Sequence, residues 1–244
     1  MNIELLETNR FIKENLKFLW NSLVDKVYII LVECENIDIK IKNYELYLHN
    51  YGINNFKFCI YDKSFITNNC FEPCIHHKIY EEANLEHLKN ILIMEENCYF
   101  DTNKDNIRKI LEELNLVKKK FIFQNKNIDL IYLGNLNKNR LRRKKNFLVP
   151  INYIEYHFCY IINLECRYKL YNNKEDLMNC YIISPLFVFF NNKNNVNDIN
   201  NVNILQDNNE ENLSLVDKLK KSENYNKVLE NVKYYNPFKN KKLF

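Results

Sequence analysis

Between Phe11 and Gly134, apolar runs of strand length alternate with amphipathic helical stretches, and this order constrains the fold more than any single motif. Ile12, Leu16, Leu19, Trp20 and Leu23 recur at helical spacing, so the first segment has one apolar face. It leads into Val27-Tyr28-Ile29-Ile30-Leu31-Val32, a continuous apolar run suited to a strand buried on both sides. A second helix follows, with Ile37, Ile41, Tyr44 and Leu48 as its stripe and Gly52 where a helix end needs a left-handed residue. Phe56 to Tyr61 reads as the next strand. Helices of this length return the chain to the starting edge of a sheet, which predicts an α/β sandwich with a parallel or mixed central sheet.

Asp62 to His77 is polar and reads as irregular, followed by a helix from about Tyr80 to Asn90. Ile91 to Met94 and Asn97 to Phe100 read as strand pieces separated by Glu95-Glu96. Thr102 and Asp105 have capping-box spacing before a helix carrying Ile107, Ile110, Leu111 and Leu114. Phe121 to Phe123 and Ile128 to Leu133 complete the expected strand set. The α/β unit is therefore expected over 1–147. A β-rich, aromatic extension follows over 148–190; it either adds strands to the sheet or forms a separate element. The Asn-rich stretch 191–212 lacks the apolar content to offset its ordering entropy and reads as a linker. Beyond it, 213–244 reads as a detached amphipathic helix and basic tail. Its apolar stripe, Val216, Leu219, Tyr225, Val228, Leu229 and Val232, calls for a partner.

Composition narrows the chemistry. Only two glycines are present, Gly52 and Gly134, which excludes a glycine-rich phosphate loop, a dinucleotide fingerprint and a nucleophile elbow. No catalytic residues, cofactor or metal are expected from local motifs. Glu95-Glu96 and Glu112-Glu113 read as solvated charges. Cys70-Phe71-Glu72-Pro73-Cys74-Ile75-His76-His77 gathers two thiols and two imidazoles, but four ligands so compressed would strain a tetrahedral zinc, and the segment reads as a loop. The eight cysteines mostly sit in apolar runs, as buried thiols do in a reducing compartment. No apolar stretch is of membrane-spanning length, so no membrane partner is expected. The formal charge of +4 is too even to announce nucleic acid, but Lys138, Arg140, Arg142, Arg143, Lys144 and Lys145 form a dense run fit for phosphate contacts.

The order of elements over about residues 9–147 resembles the stalk-base protein family of the large ribosomal subunit, in its mitochondrial form. Leu46 to Gly52 is similar to the family's helix ending in glycine. Asp62-Lys63-Ser64-Phe65 takes the place of its short basic motif after the second strand. Leu88 to Phe100, then Ile107 to Leu114, is similar to its later strand and helix, and Leu133-Gly134-Asn135 to its glycine turn. Asp62 stands where the family has a basic residue, and Met94-Glu95-Glu96 where it has a small-residue turn. The resemblance implies a non-catalytic protein of the mitochondrial large subunit. Lys63, Ser64 and the basic run would touch large-subunit rRNA, the C-terminal helix would dock stalk-protein dimers, and other ribosomal proteins would be neighbours. Two alternatives stay open: an α/β subunit of another assembly, and a divergent nuclease or metal-dependent enzyme using Cys70 to His77.

Overall fold

A computed structural model describes residues 3–62, 71–96, 98–124, 127–134, 147–151, 159–166, 169, 178–183, 188–190 and 233–235. The chain is an α/β protein. Its helices are α1 (Ile3–Leu23), α2 (Ile37–Asn50), α3 (Phe71–Leu85) and α4 (Lys104–Phe123). The strands interleaved with and following them are β1 (Lys26–Val32), β2 (Phe56–Tyr61), β3 (Asn90–Glu95), β4 (Cys98–Phe100), β5 (Leu130–Tyr132), β6 (Leu148–Ile151), β7 (Cys159–Asn163), β8 (Cys180–Ile183), β9 (Val188–Phe190) and β10 (Lys233–Tyr235).

The main sheet has eight strands in the order β10-β2-β1-β3-β7-β5-β8-β6, and β4 pairs with β9 in a separate ribbon. β1 is parallel to both β2 and β3, and β5 to β8, while β10, β7 and β6 run against their neighbours. Registers Met94↔Cys159 and Tyr132↔Tyr160 place the start of β7 beside the ends of β3 and β5. β1, β2, β3, β5 and β8 thus all finish at one rim, the carboxyl edge.

Strand alternation divides the core in two. Val27, Ile29 and Leu31 of β1, with Phe56, Phe58, Leu92 and Met94, pack under Leu16 and Trp20 of α1, Ile41, Tyr44 and Leu48 of α2, and Ile107, Leu111 and Leu114 of α4. Tyr28 and Ile30, with Cys59, Ile91, Ile93 and Ile162, face Ile75, Ile79 and Ala83 of α3 on the other side. Both faces of β1 are therefore apolar, as its unbroken run requires. Each large side chain buried this way contributes about 1.5–3 kcal/mol. Gly52 ends the turn after α2 at φ +76°, the left-handed conformation anticipated for it.

Several expectations are corrected. Phe121 to Phe123 belong to α4, not a strand, because nothing between Leu114 and Gln124 breaks a helix and Lys118 Nζ ties α4 to the Ser22 and Leu23 carbonyls that end α1. The cap of α4 is Asn103, whose side chain accepts from the amides of Asp105 and Asn106, in place of the Thr102/Asp105 box. α3 begins at Phe71, so most of the Cys70 to His77 segment is helical; Pro73 fits because the first turn of a helix needs no intrahelical amide bond there. Of the two alternatives left open for 148–190, the described strands follow the first, since β6, β7 and β8 are strands of the main sheet, while β9 pairs with β4. Lys233 to Tyr235 do not end a detached helix. They pair antiparallel with Phe58 to Ile60, since the outer edge of β2 offers unpaired backbone groups to a β-prone Lys-Tyr-Tyr. The linker 191–212 and the expected helix residues Val216, Leu219, Tyr225, Val228, Leu229 and Val232 lie outside the described residues.

Candidate ligand crevice at the carboxyl edge

From β1 the chain moves through α2 to β2 on one side, then through α3 to β3 on the other, with α2 and α3 on opposite faces. In open α/β sheets such a reversal separates the two connections, and ligands bind outside the carboxyl ends of the strands at that point. Here the rim is built from Glu33 and Cys34 after β1, Glu95 and Glu96 at the end of β3, Leu133 and Gly134 after β5, and Cys159 and Tyr160 at the start of β7.

The two glutamates are held differently. Glu96 accepts the Val32 amide hydrogen through Oε2 at 2.8 Å and pairs with Lys40 of α2 through Oε1, which ties the end of β3 to the end of β1. Glu95 lies 3.5 Å, Oε1 to Nε2, from His76 of α3. His76 is only 7% exposed; its ring stacks on Tyr160 at 5.7 Å and 13°, and its Nδ1 is 2.5 Å from the Tyr160 hydroxyl. The Tyr80 hydroxyl meets the same oxygen at 2.6 Å. Two carboxylates therefore stand at the switch point, one offset by a lysine and the other beside an imidazole.

An aromatic cluster fixes the chain just past them. Phe100 of β4 stacks on Tyr47 at 6.0 Å and 7°, lies 5.4 Å from Trp20, and donates its amide hydrogen to the Tyr47 hydroxyl at 2.5 Å. Tyr51 donates to the Asp101 carbonyl at 3.1 Å. Burial pushes the Tyr47 phenol far above its ordinary range, so it stays a neutral hydroxyl. Glu95 and Glu96 are thus anchored from both sides, by β3 in the sheet and by β4 on α2.

A cleft of about 270 Å³ lies at the opposite, amino edge, between α4 and the sheet, lined by Leu23, Lys118, Phe121, Ile128, Asp129 and Ile161 among others. Two of its polar groups, Asp129 and Lys118, already serve the fold. Asp129 accepts from Lys169 Nζ at 2.6 Å and from the Asn179 amide at 2.7 Å, and Lys118 donates to α1 carbonyls.

The sequence-nominated residues fare unevenly. Lys63, Ser64, Lys138, Arg140, Arg142, Arg143, Lys144 and Lys145 lie outside the described residues. The two imidazoles of the Cys-His segment serve separate partners, His76 meeting Glu95 and Tyr160 while His77 Nδ1 lies 3.6 Å from Glu81. Among the described residues, no group of three or more His, Cys, Asp and Glu comes together to hold a metal ion. No described helix is long and apolar enough to cross a membrane. Sequence reasoning passed over Glu95, Glu96, Tyr80 and Tyr160. The available signal was an acidic pair at the end of a buried strand; the reversal of strand order beside it is a property of the sheet that helix–strand alternation does not carry. No family model matches the chain, and no curated protein matches it.

Proposed function

We propose that this protein binds a phosphate-bearing small molecule of the nucleotide class outside the carboxyl ends of β1 and β3, with the Glu95 carboxylate sharing a divalent cation with the ligand's phosphates beside Glu96, which Lys40 and the Val32 amide already engage. The observation that carries this reading is the consecutive carboxylate pair at the end of β3, at the reversal of strand order. Lys40 offsets one of the two charges, leaving the pair net negative and repulsive to a bare phosphate. A small hard cation resolves that repulsion, because such ions take one or two carboxylates and complete their shell with phosphate oxygens and water. A cation so placed would also polarise a phosphate ester. Calorimetry with nucleoside diphosphates and their esters, with and without Mn²⁺, tests the reading. Binding that needs the cation and falls at least about tenfold in Glu95→Gln/Glu96→Gln supports it; no binding of any nucleotide overturns it.

The second reading is the one the family resemblance implies: a stalk-base component of the mitochondrial large ribosomal subunit, bound to rRNA. What favours it is charge. Gly134 and Phe147, the described residues flanking the Lys138 to Lys145 run, both stand at the carboxyl edge, since β5 ends there and β6 begins there. Phosphate backbone contacts need such cations but no fixed spacing. Neutralising Arg140, Arg142, Arg143 and Lys144 should then flatten the salt dependence of RNA association, and the tagged protein should sediment with large-subunit particles. An unchanged salt slope, or sedimentation away from those particles, counts against it.

A further inference from the structure

Behind Glu95 runs a buried chain of polar side chains: Tyr80 Oη, Tyr160 Oη and His76 Nδ1, separated by 2.6 and 2.5 Å. A phenol carries one proton, and a neutral imidazole carries one on either nitrogen, so the chain has two head-to-tail orders. In one, Tyr80 donates to Tyr160 and Tyr160 donates to Nδ1, which leaves the imidazole proton on Nε2. In the other, Nδ1 donates to Tyr160 and Tyr160 to Tyr80, which leaves a lone pair on Nε2. Nε2 faces Glu95 Oε1 at 3.5 Å, just beyond hydrogen-bond length but well within electrostatic reach. A lone pair against a carboxylate oxygen is repulsive and an N–H is attractive, more so in a site with little solvent. The first direction is the one this geometry favours.

We propose that the Tyr80–Tyr160 chain on Nδ1 and the Glu95 carboxylate facing Nε2 together fix His76 in its Nε2-protonated tautomer, which makes His76 the positioning residue for the Glu95 carboxylate. The partner that the other ring nitrogen finds decides which nitrogen keeps the proton. Here that partner is supplied by β7, the strand inserted antiparallel beside β3. The consequence for ligand binding rests on the crevice reading above; the tautomer itself rests on the geometry alone.

Long-range ¹H–¹⁵N spectra of histidine-labelled protein read the tautomer directly, since protonated and bare ring nitrogens differ in shift. Assigned by its loss in His76→Gln, the His76 ring should show a bare Nδ1 and a protonated Nε2, and Glu95→Leu, which takes away the carboxylate that selects the direction of the chain, should weaken that preference. A protonated Nδ1 in the unsubstituted protein overturns the tautomer. For positioning, His76→Gln can still accept from Tyr160 and donate toward Glu95, whereas His76→Phe keeps the ring and the stacking but neither contact. With unfolding midpoints matched, nucleoside diphosphate binding in Mn²⁺ should stay within about threefold in the Gln variant and fall about tenfold in the Phe variant. Equal binding by the two overturns the positioning role. If the unsubstituted protein binds no nucleotide, the crevice reading and the positioning role fall together, and the spectra still decide the tautomer.

Discussion

Gly52 backs onto α1 so closely that a Cβ there would lie 2.5 Å from the Lys17 amide nitrogen. The Leu16 carbonyl carbon would be 2.9 Å away, so the obstacle is helix backbone rather than a side chain that could swing aside. Gly52→Ala combines that clash with the strain of φ +76° and should cost at least about 2 kcal/mol, read from urea unfolding. A loss under about 0.5 kcal/mol would place it among ordinary surface changes and refute the close approach.

Lys57 of β2 and Glu82 of α3 form an ion pair in which both side chains are largely shielded, at 13% and 16% exposure. Removing one partner leaves the other charge half-desolvated. Glu82→Leu alone should cost about 3 kcal/mol, while Lys57→Met/Glu82→Leu together should recover most of that loss. Additive costs in the double variant would show that the pair is not coupled.

The antiparallel pairing of Lys233 to Tyr235 with β2 makes these three residues an edge strand of the sheet. Deleting the chain after Asn212 should therefore lower stability by about 1–3 kcal/mol and, by uncovering Phe58 to Ile60, raise concentration-dependent association. Unfolding curves and light scattering on the truncated chain check this. A truncated protein as stable and monodisperse as the full chain would mean that β10 contributes nothing to the edge.

Burial raises the thiols of Cys59, Cys98, Cys159 and Cys166 well above their ordinary value, and that of Cys180 from 9.0 to about 12. These groups stay neutral in the folded chain while the unfolded chain ionises them. Their contribution is therefore complete below about pH 9 and declines as pH rises from there toward the folded values, by up to about 1.4 kcal/mol per thiol per pH unit. Stability measured between pH 8 and 11 should fall steeply, and iodoacetamide at pH 8 should label exposed Cys34 before any of the five. Labelling of Cys59 or Cys159 at the same rate in native protein would contradict the burial.

The α/β character was legible because helical and strand periodicities are local: Leu16 and Trp20, or the run Val27 to Val32, carry them within a few residues. The placement of β7 between β3 and β5 was not, since the pairing of Met94 with Cys159 leaves no periodic trace in either segment. The candidate site was hidden for the same reason. Glu95-Glu96 reads as solvated charge until Val32, Lys40 and His76 arrive from three other elements. Pro73 did carry a local signal, since proline in a first turn marks a helix start as readily as it marks a loop.

The interleaved strand order also sets a timetable for the growing chain. β1 is flanked by β2 and β3 and can pair with each as soon as it is made, but among the described strands β5 pairs with β7 and β8, both encoded later. Leu130 to Tyr132 therefore emerge with no strand to join, and must wait until Cys159 to Asn163 have been synthesised and have docked on β3. An apolar strand kept waiting is where misassembly begins, and closing this sheet requires contacts distant in sequence, which fold slowly. Translation speed across residues 130 to 163, rather than overall stability, would then govern the yield of folded protein.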